Sequence, residues 1–107
     1  MERLWCWRCE REVGLLDDDE YATIESIYYA CMRRAKTQRS PEWDREEVRA
    51  YFVPARRTYA EMTGETDVEH EEIIKHRRSA YGPPCTTCGK PLRTPKASHC
   101  AECGAPR

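Results

Sequence analysis

Four cysteines near the end of the chain sit at a spacing that binds metal. They read Cys85-Thr-Thr-Cys88 and Cys100-Ala-Glu-Cys103, and a glycine follows each pair, Gly89 and Gly104. Four thiolates so placed can close a tetrahedral shell around Zn²⁺ and leave no open position for a substrate. The glycines suit a tight turn that needs positive φ, in which backbone N–H groups turn toward the sulfurs. Residues 89–99 separate the pairs. This is a little shorter than the common spacing, but a short hairpin fits it. The competing readings are two disulfides or idle thiols. The chain has seven cysteines, an odd number, at a metal-type spacing. Both facts favour a reducing compartment, so structural zinc and a cytoplasmic location are the expectation.

A second Cys-x-x-Cys, Cys6 and Cys9, lies in Trp5-Cys6-Trp7-Arg8-Cys9 and is followed by Glu10 rather than glycine. Three chemistries compete for it: half of a second zinc site, a redox pair, or buried thiols. A thioredoxin-like pair wants a βαβ setting, which this sequence lacks. A second zinc needs further ligands, and Cys31, His70, His76 and His99 are the ones available. Cys31 falls on an apolar helical stripe and reads as core, as free cysteine often does. His70 and His76 are too far apart in phase for one ideal helix to aim both at the same ion. One of the two could still join Cys6, Cys9 and another group, and the candidate second site is Cys6, Cys9 and His76. His99 adjoins Cys100 and reads as solvent-facing or hydrogen-bonded. Between metal binding and packing, packing is the favoured reading of Cys6 and Cys9, with one zinc per chain.

No catalytic constellation stands out. Ser26, Ser40, Ser79 and Ser98 lie in no nucleophile-elbow pattern. There is no phosphate-binding glycine loop and no paired-histidine zinc helix. The acidic runs 17–20 and 65–72 read first as helix N-termini in water. The ribbon, residues 85–107, carries Lys90, Arg93, Lys96 and Arg107 but no Phe, Trp or Tyr. Single-strand binders stack bases on aromatic rings, so the ribbon is a weak candidate for nucleic acid.

The elements that must position these groups can be read from periodicity and caps. The chain has 107 residues, so one domain is expected, with room for a small appendage. Net charge is −1, and 35% of residues are charged. No global field draws the chain to nucleic acid. Large aliphatics are scarce, and three Trp, six Tyr and one Phe must supply much of the buried area. Such a thin core implies that metal carries part of the folding free energy. No apolar run is long enough for a signal peptide or membrane span.

Residues 1–16 should be extended, with a turn at the cysteines. Residues 17–39 predict a helix with Asp17, Asp18, Asp19 and Glu20 at its start and Arg33, Arg34, Lys36 and Arg39 at its end, complementing the macrodipole. Its apolar stripe is Tyr21, Ile24, Ile27, Tyr28, Cys31, Met32 and Ala35. Ser40-Pro41 predicts the start of a second helix with the stripe Val48, Phe52, Ala55, Tyr59 and Met62, kinked or divided at Pro54 and ended by Gly64. Thr66-Asp67-Val68-Glu69 resembles a capping box for a third helix with His70, Ile73, Ile74, Arg77 and Tyr81 inward. Gly82-Pro83-Pro84 ends that helix. The expected fold is mainly α: a three-helix body with an N-terminal Cys-x-x-Cys strap over residues 1–84, and a zinc ribbon hairpin over residues 85–107 docked on the helices.

The strings Cys6-Trp-Arg-Cys9 and Tyr81-Gly-Pro-Pro-Cys85-x-x-Cys88-Gly-Lys-Pro-Leu-Arg-Thr-Pro-Lys-Ala97 resemble those of a group of small bacterial zinc-ribbon proteins. The resemblance covers the two ends of the chain and not its helical middle. It implies a bacterial, cytoplasmic, zinc-binding protein, and by a looser analogy an immunity protein that accompanies a secreted toxin. The expectation is a non-enzymatic protein with structural Zn²⁺ whose helical face binds a partner protein. In the version with a toxin domain, acidic residues Glu65, Asp67, Glu69, Glu71 and Glu72 would occupy a basic cleft, since such charge pairs speed association. The alternative is a nucleic-acid-binding regulator that uses the basic ribbon. A thiol redox enzyme built on Cys6 and Cys9 is a third reading.

Overall fold

The computed structural model describes residues 1–38 and 40–107. Arg39, expected at the end of the first helix, lies outside the described residues. The chain opens with an antiparallel hairpin, β1 (Glu2–Cys6) and β2 (Arg11–Leu15), with Glu2 opposite Leu15 and Cys6 opposite Arg11. Four α-helices follow among the described residues: α1 (Asp18–Gln38), α2 (Arg45–Tyr51), α3 (Val53–Thr63) and α4 (His70–Ile73). The fold is mainly helical with a small two-stranded sheet. Among the described residues, no helix is long and apolar enough to cross a membrane.

Helix α1 starts where its acids predict. Asp17 Oδ1 accepts from the Glu20 N–H at 2.8 Å, and Glu20 Oε1 accepts from the Asp17 N–H at 3.0 Å. This is a reciprocal capping box that satisfies two otherwise unpaired donors. The predicted stripe faces inward, with Ile24, Cys31 and Ala35 buried.

The second predicted helix is two helices. Phe52 is both the C-cap of α2 and the N-cap of α3, and Pro54 lies in the first turn of α3. Proline there would remove a helical donor from a continuous helix but costs nothing at a helix start. The start also differs from the sequence reading. Asp44, not Ser40, caps α2, accepting from the Glu47 N–H at 2.9 Å. Ser40 instead donates its hydroxyl to Glu47 Oε2 at 2.8 Å. Gly64 closes α3 at φ 80°, as expected.

The third predicted helix is the largest correction. Only His70–Ile73 is α-helical, and Glu69 caps it without a side-chain hydrogen bond, so the Thr66–Glu69 capping box does not form. The backbone has a better use for its donors beyond Ile73. Leu16 N–H donates to His76 O at 2.7 Å, and Arg78 N–H donates to Leu16 O at 2.8 Å. This bridge pulls the chain straight beside the end of β2. Of the expected inward positions, His70, Ile73 and Tyr81 are buried, while Ile74 and Arg77 are half-buried.

Three apolar clusters hold the body. Leu16, Ile24, Tyr59, Val68 and Ile73 join the hairpin end, α1, α3 and α4. Cys31, Ala35, Phe52 and Ala55 seal α1 against the α2–α3 joint. Cys6, Val13, Leu15 and Tyr81 form the third, under the hairpin. Val13, Gly14 and Leu15 are buried in succession, so both faces of β2 are covered. Gly14 allows this, because a Cβ there would come within 2.6 Å of the Thr63 methyl.

Residues 83–107 are held by isolated bridges, Pro84 opposite Pro91 and His99 opposite Pro106, around buried Leu92. The sequence predicts docking on the helices, but the ring contacts of this segment lie on the hairpin. Lys90 Nζ sits 3.9 Å from the Trp5 ring centre, and the Arg93 guanidinium 4.5 Å from that of Trp7. An aromatic-free basic segment thus meets two tryptophan faces through cation–π contacts. Pro95 also shares a shallow hollow with Asp17 and Asp18 at the start of α1.

Candidate metal centres

The C-terminal cysteines ride on two equivalent turns. Gly89 N–H donates to Cys85 O at 2.8 Å and Gly104 N–H donates to Cys100 O at 2.7 Å. The returning bonds match too: Cys85 N–H to Lys90 O at 2.9 Å and Cys100 N–H to Ala105 O at 2.8 Å. Gly89 has φ 80° and Gly104 has φ 79°, the left-handed geometry that favours glycine. The repeat Cys-x-x-Cys-Gly-x-Pro, at Cys85–Pro91 and Cys100–Pro106, is visible in the sequence and signals this two-fold construction. The sequence reading took the Cys and Gly spacing without noticing that proline completes a repeat.

The turns bring all four sulfurs within 4.8 Å of one another. Cys85 and Cys103 are 3.7 Å apart, and Cys88 and Cys100 are 3.6 Å apart. Sulfurs bonded at about 2.3 Å to one tetrahedral zinc lie about 3.8 Å apart, so these edges fit the ion. The backbone N–H groups of Cys88 and Thr87 hold the Cys85 thiol down to about 6. Cys103 goes the other way, to about 11: the Ala105 N–H favours its thiolate, but desolvation and the neighbouring sulfurs outweigh it. Sulfurs this close resist carrying negative charge together, and a divalent cation removes that conflict. The four-cysteine cluster fits a metal site.

A second cluster forms at the hairpin turn. Cys6 closes β1, Cys9 sits in the turn, and His76 arrives from the segment after α4. These three ligand atoms also lie within 4.8 Å of one another. His76 Nε2 is 3.5 Å from Cys6 Sγ and 3.4 Å from Cys9 Sγ. Cys6 and His76 are fully buried, and Cys9 is half-buried. Tyr81 Oη lies 3.1 Å from Cys6 Sγ and accepts from Arg8 Nη1 at 3.3 Å. Burial opposes ionisation of Cys6, but hydrogen bonds to His76 and Tyr81 outweigh it and bring that thiol down to about 6. Burial and the Cys6 charge push Cys9 up to about 12.

The other sequence candidates lie elsewhere. His70 stacks on Phe52, ring centres 4.1 Å apart, and burial lowers its pKa. Cys31 is core, as its stripe predicts. His99 is exposed beside Ser98. The acidic residues are drawn into the fold to different degrees. Glu65 is 10% exposed and pairs with Arg3 and Arg11 at 2.6 and 3.0 Å. Asp67 pairs with Arg11 at 2.9 Å and is 72% exposed. Glu69 pairs with Arg49 at 3.0 Å, and Glu72 lies 4.0 Å from Lys75. Glu71 lies 3.7 Å from His70 and is 60% exposed.

Tyr59 and Tyr81, which touch the second cluster, read in sequence only as stripe positions. No spacing rule links them to the cysteines. No protein-family model, curated protein or solved structure matches the chain.

Proposed function

We propose that the chain is a non-enzymatic bacterial cytoplasmic protein whose Cys85–Cys88–Cys100–Cys103 centre holds a structural Zn²⁺ and whose helical side binds a partner protein. The concrete version is an immunity protein that neutralises a toxin domain. The observation that carries the zinc reading is the four-sulfur cluster with tetrahedral edges. Soft thiolates in that geometry suit zinc, as they also suit iron, and four of them leave the ion no substrate position.

The partner reading is supported by what the helical side offers. Glu71 and Asp67 are exposed, Asp67 while paired with Arg11, whereas Glu65 and Glu69 are more covered and held in ion pairs. Helices α1 and α3 also form a shallow groove lined by Ile27, Ala30, Cys31, Arg34 and Pro54, and Val53, which precedes Pro54, is 39% exposed. Exposed acids speed encounter with a basic cleft, and apolar area supplies affinity. The ribbon offers nucleic acid less. Lys90 and Arg93 lie over tryptophans, Arg93 also pairs with Glu102 at 3.1 Å, and Arg107 donates to Pro95 O at 2.6 Å.

Capture from a native host with the tagged full chain tests this reading. One protein partner should be retained, and retention should drop when Asp67 and Glu71 are neutralised together. Tight, salt-sensitive retardation of random DNA or RNA would overturn it.

A further inference from the structure

The geometry points to a second metal site, in which Cys6, Cys9 and His76 hold one Zn²⁺ that clamps the hairpin turn to the segment after α4. It is independent of the partner-binding reading. Three observations converge on it.

The first is the backbone. Glu10 N–H donates to Cys6 O at 2.7 Å, and Glu10 has φ 55°, the only positive φ on a non-glycine residue among the described residues. Gly89 and Gly104 make the same bond back to the first cysteine of their pairs, also at positive φ. Cys6 pairs with Arg11, the position equivalent to Lys90 and Ala105. The N-terminal turn therefore repeats the conformation of the two metal-type turns although its sequence lacks their glycine. A left-handed residue with a Cβ costs about 1–2 kcal/mol.

The second is the distance set. A sulfur at about 2.3 Å and an imidazole nitrogen at about 2.05 Å from one tetrahedral zinc lie about 3.5 Å apart. The observed 3.5 and 3.4 Å match both edges.

The third is the histidine tautomer. Tyr59 Oη lies 2.7 Å from Gly14 O and 2.8 Å from His76 Nδ1. The carbonyl can only accept, so the single tyrosine proton goes to Gly14. Tyr59 must then accept from Nδ1–H. In the neutral imidazole, the form that binds a metal, this leaves Nε2 without a proton and directs its lone pair toward the two sulfurs. A metal-bound histidine needs this arrangement, with its other nitrogen donating to a fixed acceptor. Tyr59 is thus a positioning residue: it touches the ligand and not the ion. Cys9 is half-buried, which lets water reach the fourth position.

Zinc content and chelator competition on the full-length chain test the site. Native mass spectrometry and elemental analysis should give two zinc ions per chain. Cys9→Ser and His76→Ala should give one. Tyr59→Phe keeps the shape of the ring and removes the acceptor. It should weaken one zinc by about 10–100-fold and leave the other unchanged, a split that general loss of fold does not produce. Cobalt substitution of a Cys85→Ser/Cys88→Ser/Cys100→Ser/Cys103→Ser variant should still show thiolate-to-metal charge transfer, now from the two sulfurs of Cys6 and Cys9. One zinc in the native chain, a Cys6–Cys9 disulfide, or two zincs that survive Cys9→Ser and His76→Ala would each overturn the site. No zinc at all would overturn the C-terminal centre as well, so the two failures are distinguishable.

Discussion

At the scale of single residues, the chain spends its chemistry on fixing groups in place. Glu65 shows how. Its carboxylate is buried between Arg3 of β1 and Arg11 of β2, and it also follows Gly64 at the end of α3. Hydrogen bonds from Arg11, then Arg3, outweigh burial and hold it below its ordinary value of 4.5. A depressed carboxyl gives stability that is complete above its ordinary pKa and is lost as pH falls through the folded value. Glu65→Gln should therefore cost about 1–2 kcal/mol at neutral pH, in urea melts. The gap between the variant and the native chain should close on acidification below the ordinary range. A gap that stays constant would show that shape, and not charge, is what Glu65 supplies. The same logic governs ligands. Cys88→Ser removes a direct sulfur from the ribbon centre. It should weaken that zinc by more than the ~10–100-fold typical of outer-shell losses, measured by chelator competition.

At the scale of elements, backbone demands decide what the sequence could reveal. Gly14→Ala should destabilise the fold by about 1–3 kcal/mol, because its methyl would enter the space of Thr63. Urea denaturation checks this, and a neutral result would mean that α3 can slide off β2. Gly89→Ala forces a side chain into left-handed backbone and should cost about 1–2 kcal/mol, read as a faster loss of zinc to chelator.

The first helix was legible because its capping acids and apolar stripe agree. The glycines after the cysteines were legible because a metal turn demands positive φ. The third helix misled because Thr66–Glu69 carries a capping pattern while the pull on the backbone comes from Leu16, far away in sequence. Ser40 misled for a similar reason. Ser-Pro is a good helix start, but Asp44 offers a stronger acceptor closer to the apolar stripe. Of the second cluster, spacing alone could show Cys6 and Cys9. Placing His76 beside them required knowing that the chain leaves the helix after Ile73.

At the scale of the whole molecule, the two cysteine-rich ends meet. The ribbon has one large buried aliphatic, Leu92, and lays its cations on Trp5 and Trp7 of the first hairpin. Lys90→Ala should loosen this joint by about 0.5–2 kcal/mol. Faster amide exchange would report it at Gly82, which donates to Leu92 O at 2.7 Å, and at Leu92, which donates to Pro83 O at 3.0 Å. With so little apolar area of its own, the ribbon is expected to depend on a bound metal for order. The most direct test is a pair of ¹H–¹⁵N spectra of the full chain, zinc-loaded and after chelation under reducing conditions. The account predicts that amides from 83 to 107 collapse toward random-coil positions when zinc is removed, while Ile24, Cys31 and Ala55 in the α1–α3 core keep their shifts. Ribbon amides that stay dispersed without metal would contradict it.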